Sequence, residues 1–231
     1  ARELTQQEIA SIRQKSKTQV EMFVHGALCY SFSGMCLFSS YLGGMSANRG
    51  RCMQPCRRMY DDVGEKKYLF SLKDNELIDH VTEILRLGIS SIKIEGRLKP
   101  AEYVYRVAKA YRMAIDAPDK IREAKDLLKY DMGRTKTSYF FGGDVGGAIT
   151  DTPSTGIYLG RINQLTDDSF SFSTTEPLKE GNRLWIRSPR GESRKAIKIK
   201  AMDTGPDHRI TIQGPTDKIH KGDLVYLANL R

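Results

Sequence analysis

The hydrophobic and polar positions at the start of the chain follow a helix, then a strand, and then no period at all. Residues 5–18 predict a helix, because Thr5 can cap its N-terminus and Glu8, three residues on, completes a capping box. Residues 19–25 alternate and carry β-branched and aromatic side chains, which predicts a strand. From residue 26 to about residue 60 the chain is rich in glycine and cysteine without a sustained period. Since ordinary loops are far shorter, this excursion is predicted to be functional or held by a metal.

Regular periods return beyond the excursion. Apolar positions over residues 72–87 predict an amphipathic helix, and residues 90–94 predict a short buried strand. Pro100 is predicted to start another helix, and a further short helix is predicted over residues 119–129. The helix after Pro100 is predicted to bury Val104, Val107, Ala108, Tyr111 and Ile115. This order of elements is typical of a parallel α/β sheet or barrel.

Two strands and a few helices cannot close a barrel or cover both faces of a parallel sheet. Residues 1–132 are therefore predicted to be the C-terminal part of a larger α/β domain. Its earlier strands are expected in an N-terminal segment that is missing here, or in a partner subunit. The abrupt start at Ala1 favours a truncated segment.

The pattern changes near residue 133. Glycines cluster between residues 142 and 147, and residues 133–155 are predicted to be a linker. Short alternating runs separated by turn signals then predict six strands, at residues 156–162, 169–174, 182–188, 196–202, 210–213 and 223–228. Strands at this spacing predict a small antiparallel β-barrel or sandwich over residues 156–231.

Composition and charge narrow the class of protein. No apolar run approaches the roughly 20 residues that cross a bilayer, and no signal peptide is evident, so we expect a cytoplasmic protein without membrane contact. The net charge is +9, which favours binding to RNA or DNA. A generally basic surface is the alternative.

All four cysteines, Cys29, Cys36, Cys52 and Cys56, lie within one stretch of the excursion. A secreted disulfide framework would spread its bridges over the chain, whereas clustered thiols in a reducing compartment are more often metal ligands. Four thiolates suit tetrahedral zinc or an iron–sulfur cluster. Only the last two cysteines have the close spacing of a zinc ribbon, so the pattern leans toward iron–sulfur. Buried structural cysteines are the alternative.

The residues around the cysteines resemble a known family. The run from Glu21 to Cys29, followed by Gly34, Cys36 and Ser39, resembles the signature of the collagenase-like peptidases of unknown catalytic type, although Phe38 replaces its usual aliphatic residue. The resemblance continues through residues 47–50 and 52–57 and through the strand that ends in Glu95-Gly96-Arg97. It covers most of residues 1–115.

The resemblance implies a fold and a chemistry. It implies the C-terminal part of a modified (β/α)8 barrel followed by a small antiparallel accessory β-barrel, with the cysteines in a long insertion. Glu95 and Arg97 would then lie at the C-terminal end of a barrel strand, where barrel enzymes keep their active sites, and a catalytic role is expected for both. An ion pair that finishes the strand is the alternative. Other members are linked to hydroxylation of RNA bases and ubiquinone precursors, with a four-cysteine iron–sulfur (4Fe-4S) cluster and with prephenate as co-substrate.

Three functions follow as hypotheses. We prefer an iron–sulfur enzyme that hydroxylates tRNA or rRNA bases, because it accounts for the thiols and the charge together. The family name suggests a peptidase, but the sequence contains neither a Gly-x-Ser-x-Gly nor a His-Glu-x-x-His motif. The third hypothesis is an RNA-binding module held by zinc. His25 is a candidate ligand or hydrogen-bond donor to a ligand.

Candidate RNA contacts occur in two places. Arg49, Arg57 and Arg58 flank the last cysteine pair, where cations would also stabilise thiolates. In the tail, Arg183, Trp185 and Arg187 would project from one face of a strand, where guanidinium groups hold phosphates and an indole stacks a base. The alternative is that the only tryptophan fills the core.

Overall fold

The computed structural model describes residues 3–97, 99–131, 133–143, 145–150, 156–189 and 193–229. The chain forms two compact units, unit 1 over residues 1–153 and unit 2 over residues 154–231. Unit 1 is mixed α/β and unit 2 is built from β-strands. The strands form several sheets, and within the described residues none of these sheets closes into a barrel.

Unit 1 contains six α-helices among its described residues. They are α1 Gln6–Lys15, α2 Phe38–Gly43, α3 Val81–Arg86, α4 Ala101–Asp116, α5 Ile121–Leu128 and α6 Tyr139–Gly142. The capping box at α1 is present: the Thr5 hydroxyl accepts from the Glu8 amide, and the Glu8 carboxylate accepts from the Thr5 amide. Local side-chain chemistry therefore sets the start of this helix.

The central sheet of unit 1 has the strand order β5-β1-β4-β6. Its strands are β1 Glu21–Ala27, β4 Asp74–Glu76, β5 Ser91–Ile94 and β6 Lys136–Thr137, while β2 Tyr60–Asp62 and β3 Glu65–Lys67 form a separate hairpin. Strand β1 pairs parallel with β5 and antiparallel with β4, and β6 runs parallel to β4. The sheet is therefore mixed: β1–β5 and β4–β6 are parallel pairs, and β1–β4 is an antiparallel pair.

Two predictions about helices need correction. Residues 72–87 do not form one helix: β4 occupies residues 74–76, a 3-10 turn spans Ile78–His80, and α3 covers only the last part. The long-range pairing of β4 with β1 overrides the local helical spacing. On α4, Val104 is 42% exposed, and the buried stripe is Tyr103, Val107, Ala110, Tyr111 and Ala114.

The stretch predicted as a linker contains structure where it is described. Strand β6 pairs with β4, Phe141 of α6 is buried, and the Lys73 amide donates to the Ala148 carbonyl. Its glycine-rich end is described only in part, because residues 144 and 151–155 lie outside the described residues. The division between the units falls between Pro153 and Ser154.

Unit 2 contains two four-stranded antiparallel sheets, ordered β11-β10-β14-β7 and β12-β13-β9-β8. The strands are β7 Ile157–Arg161, β8 Gln164–Leu165, β9 Ser169–Ser173, β10 Arg183–Arg187, β11 Ser193–Lys198, β12 Met202–Thr204, β13 Arg209–Gln213 and β14 Leu224–Asn229. Each of the six predicted strands is present, and β8 and β12 are additional. Alternate side chains such as Leu184, Ile186, Phe172 and Ile212 form the core and have no solvent exposure.

Candidate metal centre in the cysteine loop

Strand β1 leads to the first cysteine, and its pairing with β5 is irregular near its end. The register between β1 and β5 shifts between Phe23 and His25, as in a β-bulge. Gly26 follows with φ of +127°, and a Cβ atom there would lie 2.5 Å from the Cβ of Glu95. Only glycine allows this backbone angle and this approach together. Gly26 therefore sets how closely Glu95 lies to the start of the cysteine loop, the name used here for residues 28–59.

All four cysteines of this loop line one cavity of about 620 Å³. Cys29, Cys36 and Cys56 are half-buried, Cys52 is exposed, and none forms a disulfide. Short segments hold them: α2 follows Cys36, and a 3-10 turn over Pro55–Arg57 contains Cys56. The structure therefore brings together the four thiols that sequence clustering grouped.

The four thiols form a possible ligand set for an inorganic group. Among the described residues, the one group of three or more potential ligands with donor atoms within 4.8 Å of one another is His25, Glu76 and Asp131. No three cysteine Sγ atoms are that close. Tetrahedral zinc with Zn–S bonds of about 2.3 Å draws its sulfurs closer together than this. A cubane cluster takes one thiolate at each iron, so four thiols are a complete ligand set for either group.

Aromatic rings enclose one side of the cavity. Phe70 contacts Tyr30, Phe38 and Tyr60 at centroid distances of 5.3, 5.6 and 5.3 Å. The Tyr60 hydroxyl donates to the Pro55 carbonyl at 2.9 Å, which ties the ring to the turn that carries Cys56. Such a wall lowers the local dielectric and limits water at the sulfurs, which is one way in which proteins tune iron–sulfur clusters.

Two of the sulfurs have identifiable polar neighbours. Cys52 Sγ accepts a hydrogen bond from the Gln54 amide at 3.3 Å and one from the Ser39 hydroxyl at 3.7 Å. Burial raises the pKa of the Cys56 thiol, and the adjacent Arg57 guanidinium opposes this only in part. Hydrogen bonds to sulfur are one means by which proteins tune a bound iron–sulfur cluster, and Cys52 receives two of them.

Arg57 acts as a clamp at the base of the loop. Its guanidinium donates to the carbonyls of Leu28 and Leu72 and, at 3.1 Å, to the Ser71 hydroxyl. The Arg57 guanidinium therefore stabilises the fold of the loop. The other loop arginines, Arg49, Arg51 and Arg58, are exposed.

A second cavity of about 530 Å³ lies between the loop and the strand ends of unit 1. Cys29, Cys52 and Cys56 line one part of it, and Arg57, Glu95, Arg97, Lys99 and Arg134 line another. Four cations thus oppose one carboxylate. Burial lowers the pKa of Lys99, as expected where cations are crowded away from water. The cavity suits an anionic ligand next to the cysteines.

Glu95 and Arg97 lie where the sequence predicted, directly after β5. The Glu95 amide donates to the His25 carbonyl at 2.9 Å, which continues the pairing with β1. The Glu95 carboxylate accepts from the Arg97 backbone amide at 3.0 Å. Both residues line the second cavity. This arrangement leaves the Arg97 guanidinium next to the cavity.

Arg134 is positioned by a buried carboxylate. Its backbone amide and its guanidinium each donate to Asp74 at 2.9 Å. Burial alone would raise the pKa of Asp74, but Arg134 outweighs this effect and the pKa is lowered. The Nε–H of Arg134 is buried and has no hydrogen-bond partner among the described residues.

His25 points away from the cysteines. Its Nε2 atom lies 2.8 Å from Asp131 Oδ2 and its Nδ1 atom lies 3.4 Å from the Tyr111 hydroxyl. His25 has no solvent exposure, and Lys136 also donates to Asp131 Oδ2. Burial would raise the pKa of Asp131, but the His25 hydrogen bond and the Lys136 ammonium hold it well below its usual range. His25 therefore belongs to a buried ion network between sheet and helices.

The residues that sequence reasoning missed are Lys99, Arg134, Lys136, Asp74 and Asp131. None stands in a local motif: Asp131 is 106 positions from His25, and Arg134 is 60 positions from Asp74. The sequence contains one weak signal for Lys99, which directly precedes Pro100 at the start of a helix. A residue that lies between a strand and the helix after it is placed at the strand-end face of an α/β unit.

In unit 2, the structure separates the two arginines predicted to flank Trp185. Arg183 is exposed, whereas Arg187 is 7% exposed and lies over the rings of Trp185 and Tyr226 at 5.5 and 5.8 Å. Leu184 and Ile186 fill the core instead of Trp185, which is half-buried on the opposite face. Residues 190–192, between β10 and β11, lie outside the described residues.

Comparison with known proteins identifies the family. The model of peptidase family U32 matches residues 1–149, so the chain belongs to this family. The family resemblance based on the cysteine signature is therefore confirmed. No solved structure matches the chain.

Three relatives show the range of names in the family. The chain is 36% identical over 209 residues to the 23S rRNA 5-hydroxycytidine C2501 synthase of Escherichia coli K12, covering 80% of this chain and 32% of that protein. It is 38% identical over 130 residues to the tRNA hydroxylation protein P1 of Bacillus subtilis, covering 51% and 31%. It is 43% identical over 106 residues to a collagenase of Porphyromonas gingivalis, covering 43% and 29%. The chain thus spans about a third of the length of these relatives.

Proposed function

We propose that this chain is part of an enzyme that hydroxylates bases of tRNA or rRNA, with an iron–sulfur cluster held by Cys29, Cys36, Cys52 and Cys56. The observation that carries the proposal is the single cavity lined by all four thiols, which is the ligand set of a cubane iron–sulfur cluster. The relatives named as rRNA and tRNA hydroxylation proteins support the substrate class.

When bound, a 4Fe-4S cluster would supply redox chemistry next to the substrate. The chain's own residues have separate tasks in this proposal. The rings of Tyr30, Phe38 and Phe70 cover one side of the cavity that the sulfurs line. The Gln54 amide and the Ser39 hydroxyl donate hydrogen bonds to Cys52 and position its sulfur. Arg57 keeps the base of the loop closed.

The second cavity supports an anionic co-substrate. Prephenate, expected from the family resemblance, carries two carboxylates, and Arg97, Lys99 and Arg134 offer cations that can hold them near three of the cysteines. Asp74 fixes the orientation of Arg134. In this proposal Arg97 and Lys99 bind the anion. Glu95 orients the backbone at Arg97, because its carboxylate accepts a hydrogen bond from the Arg97 amide.

The barrel is part of the same proposal. The parallel pairing of β1 with β5, with α3 between them, is one βα repeat of a (β/α)8 barrel. Further strands, from a longer chain or from a partner subunit, would complete it. No helix among the described residues is long and apolar enough to cross a membrane, and the proposed RNA substrate implies a cytoplasmic location.

No observation favours the two alternative functions. A peptidase of the Cys–His type needs a histidine beside its thiol, and His25, the histidine nearest to Cys29 in sequence, is bonded to Asp131 instead. A zinc-held module would account for the four thiols but not for the relatives named as RNA hydroxylation proteins.

Metal analysis tests the cluster. Protein purified without oxygen should contain iron and acid-labile sulfide together with a visible absorption band. Each single Cys→Ser variant should lose all three signals. Ser46→Ala is the matched control, because Ser46 lies in the same loop but does not line the cavity. Stoichiometric zinc without sulfide would refute the cluster.

Nucleoside analysis tests the reaction. Cells lacking the protein should lose one hydroxylated base in tRNA or rRNA, detectable by mass spectrometry. Wild-type protein should restore the modification, and Cys56→Ser or Arg97→Gln should not. An unchanged modification profile in the deletion strain would refute RNA hydroxylation while leaving the metal result intact.

A further inference from the structure

An aromatic row crosses one sheet of unit 2. Trp185 of β10 is directly opposite Tyr226 of β14, and Tyr226 is directly opposite Tyr158 of β7. Directly opposed residues share a face of the sheet. The ring centroids of Tyr158 and Tyr226 are 5.4 Å apart, and Arg187 lies over both Trp185 and Tyr226. The three rings therefore form one continuous strip, which we name the aromatic row.

The core of unit 2 does not require these rings. The other face of the same strands carries Leu184, Ile186, Val225 and Leu227, each with no solvent exposure. In contrast, Tyr158 is 51% exposed, and Trp185 and Tyr226 are half-buried. The row is an apolar surface on the solvent side of a sheet whose core is already complete.

The charged residues in the strands that carry the row have one sign. The four strands of this sheet contain six Arg or Lys residues and no Asp or Glu, whereas the strands of the other sheet contain one of each sign. Arg183 is directly opposite Lys198, and both are exposed. The two side chains therefore place positive charge on the same face of the sheet as the aromatic row, toward its β11 edge. Arg161, opposite Leu224, adds an exposed cation at the other edge.

Arg187 has a different task from the other cations. It is nearly buried and lies over two rings, so it does not reach outward for phosphates. Cation–π contacts fix the orientation of the rings. Arg187 thus makes the row rigid, and a rigid platform loses less entropy when it binds a ligand.

We propose that the aromatic row binds single-stranded RNA, with unpaired bases stacked on Tyr158, Tyr226 and Trp185 and with the phosphates held by Arg161, Arg183 and Lys198. Every base has a π face, so stacking on such a row is tolerant of sequence, and the surrounding cations follow the backbone. Bases inside a duplex cannot stack on the row, so the surface selects unpaired segments. This inference rests on the proposed function for its choice of RNA over other polyanions.

Fluorescence anisotropy on the whole chain tests the row. A labelled single-stranded RNA of about 12 nucleotides should bind, and the same sequence as a duplex should bind at least tenfold more weakly. Tyr158→Ala and Trp185→Ala should each weaken binding about tenfold. Tyr158→Phe keeps the aromatic ring and should bind with wild-type affinity. Tyr105→Ala is the matched control, because Tyr105 is a 60% exposed tyrosine on α4 of unit 1.

Salt dependence separates stacking from charge. Arg183→Gln and Lys198→Gln should each reduce the slope of log K against log salt by about 0.7, the value for one phosphate contact on a single strand. The ring variants should lower affinity and leave that slope unchanged. Ring variants that bind within twofold of wild type, or a duplex bound as tightly as the single strand, would overturn the inference.

Trp185 provides a readout that needs no variant. It is the only tryptophan of the chain, so a base stacked on it should quench the whole indole emission. Polyphosphate, which has no bases, should leave the emission unchanged, and equal quenching by polyphosphate would overturn the inference. Iron and sulfide analysis on the same sample reports separately on the proposed function, so either proposal can fail alone.

Discussion

The cysteine loop of unit 1 and the aromatic sheet of unit 2 are held in place by different forces. In the loop only Leu28, Ser39 and Pro55 are buried, while large apolar side chains such as Met35 and Tyr41 are 73% and 87% exposed. In the sheet, every second side chain of β10 and β14 is buried in a core. Apolar burial stabilises the sheet, whereas the loop depends on the Arg57 clamp, on ring contacts and, in our proposal, on the cluster. A region without its own hydrophobic core is stabilised in the folded state by the metal group that it binds.

The largest expected effect comes from removing one ligand. In Cys56→Ser, loss of the cluster should open the loop, so trypsin should cut after Arg49 and Arg51 roughly a hundredfold faster than in the cluster-loaded protein. Residues 156–231 should persist as a resistant fragment, because unit 2 has its own core. Mass spectrometry of timed digests measures both rates. Ser46→Ala should digest like wild type, and equal digestion of Cys56→Ser would show that the loop is stable alone.

The next effect concerns the buried ion network. Asp131→Asn leaves Lys136 without its carboxylate and should destabilise unit 1 by about 3 kcal/mol in urea unfolding. Because folding lowers the Asp131 pKa, the carboxylate stabilises the fold above its ordinary pKa of 3.8, and this stabilisation is lost as pH falls through the folded value. Wild-type stability should therefore fall more steeply than that of Asp131→Asn below about pH 4.

Asp116→Asn is the matched control for the network. Asp116 pairs with Arg112 on the surface of α4, and both side chains are more than 60% exposed. The change should cost about 0.3 kcal/mol, as expected for an exposed helical ion pair. Equal losses for the two variants would show that the buried network contributes no more than a surface pair.

A smaller effect is expected at the approach of β1 to Glu95. Gly26→Ala adds a Cβ 2.5 Å from the Cβ of Glu95 at a backbone angle of +127°, and it should destabilise unit 1 by about 2 kcal/mol. Gly64→Ala has a similarly unusual φ of +86° but no neighbour within 4 Å, so it should cost about 1 kcal/mol. Denaturant unfolding measures both. Equal costs would mean that backbone angle alone, and not contact with Glu95, explains the glycine.

The same contrast explains what the sequence could predict. The strands of unit 2 were predictable because alternation is a local pattern: Leu184 and Ile186 face the core as the period requires. The four cysteines were predictable as one group because they cluster in sequence. Strand β4 was not predictable, because Asp74–Glu76 is held by pairing with β1 about 50 positions away. Its local spacing resembles that of a helix.

The cations of the second cavity show the same limit. Lys99 and Arg134 come from separate segments, and Arg134 is oriented by Asp74, which sits on another strand. A sequence alone identifies charged residues but not which of them converge. Arg57 shows the converse: its position beside Cys56 favoured a role toward a ligand, yet its guanidinium is used by three protein acceptors.

Arg57 also has a consequence for the length that the cysteine loop can have. One guanidinium joins the carbonyl of Leu28, where the cysteine loop begins, to that of Leu72, beyond its end. A loop closed at its base tolerates added or deleted residues, because the closure entropy grows only slowly with length. The register of β1 and β4 need not shift when the loop is resized. In this chain the length of the cysteine loop is therefore uncoupled from the pairing of β1 with β4.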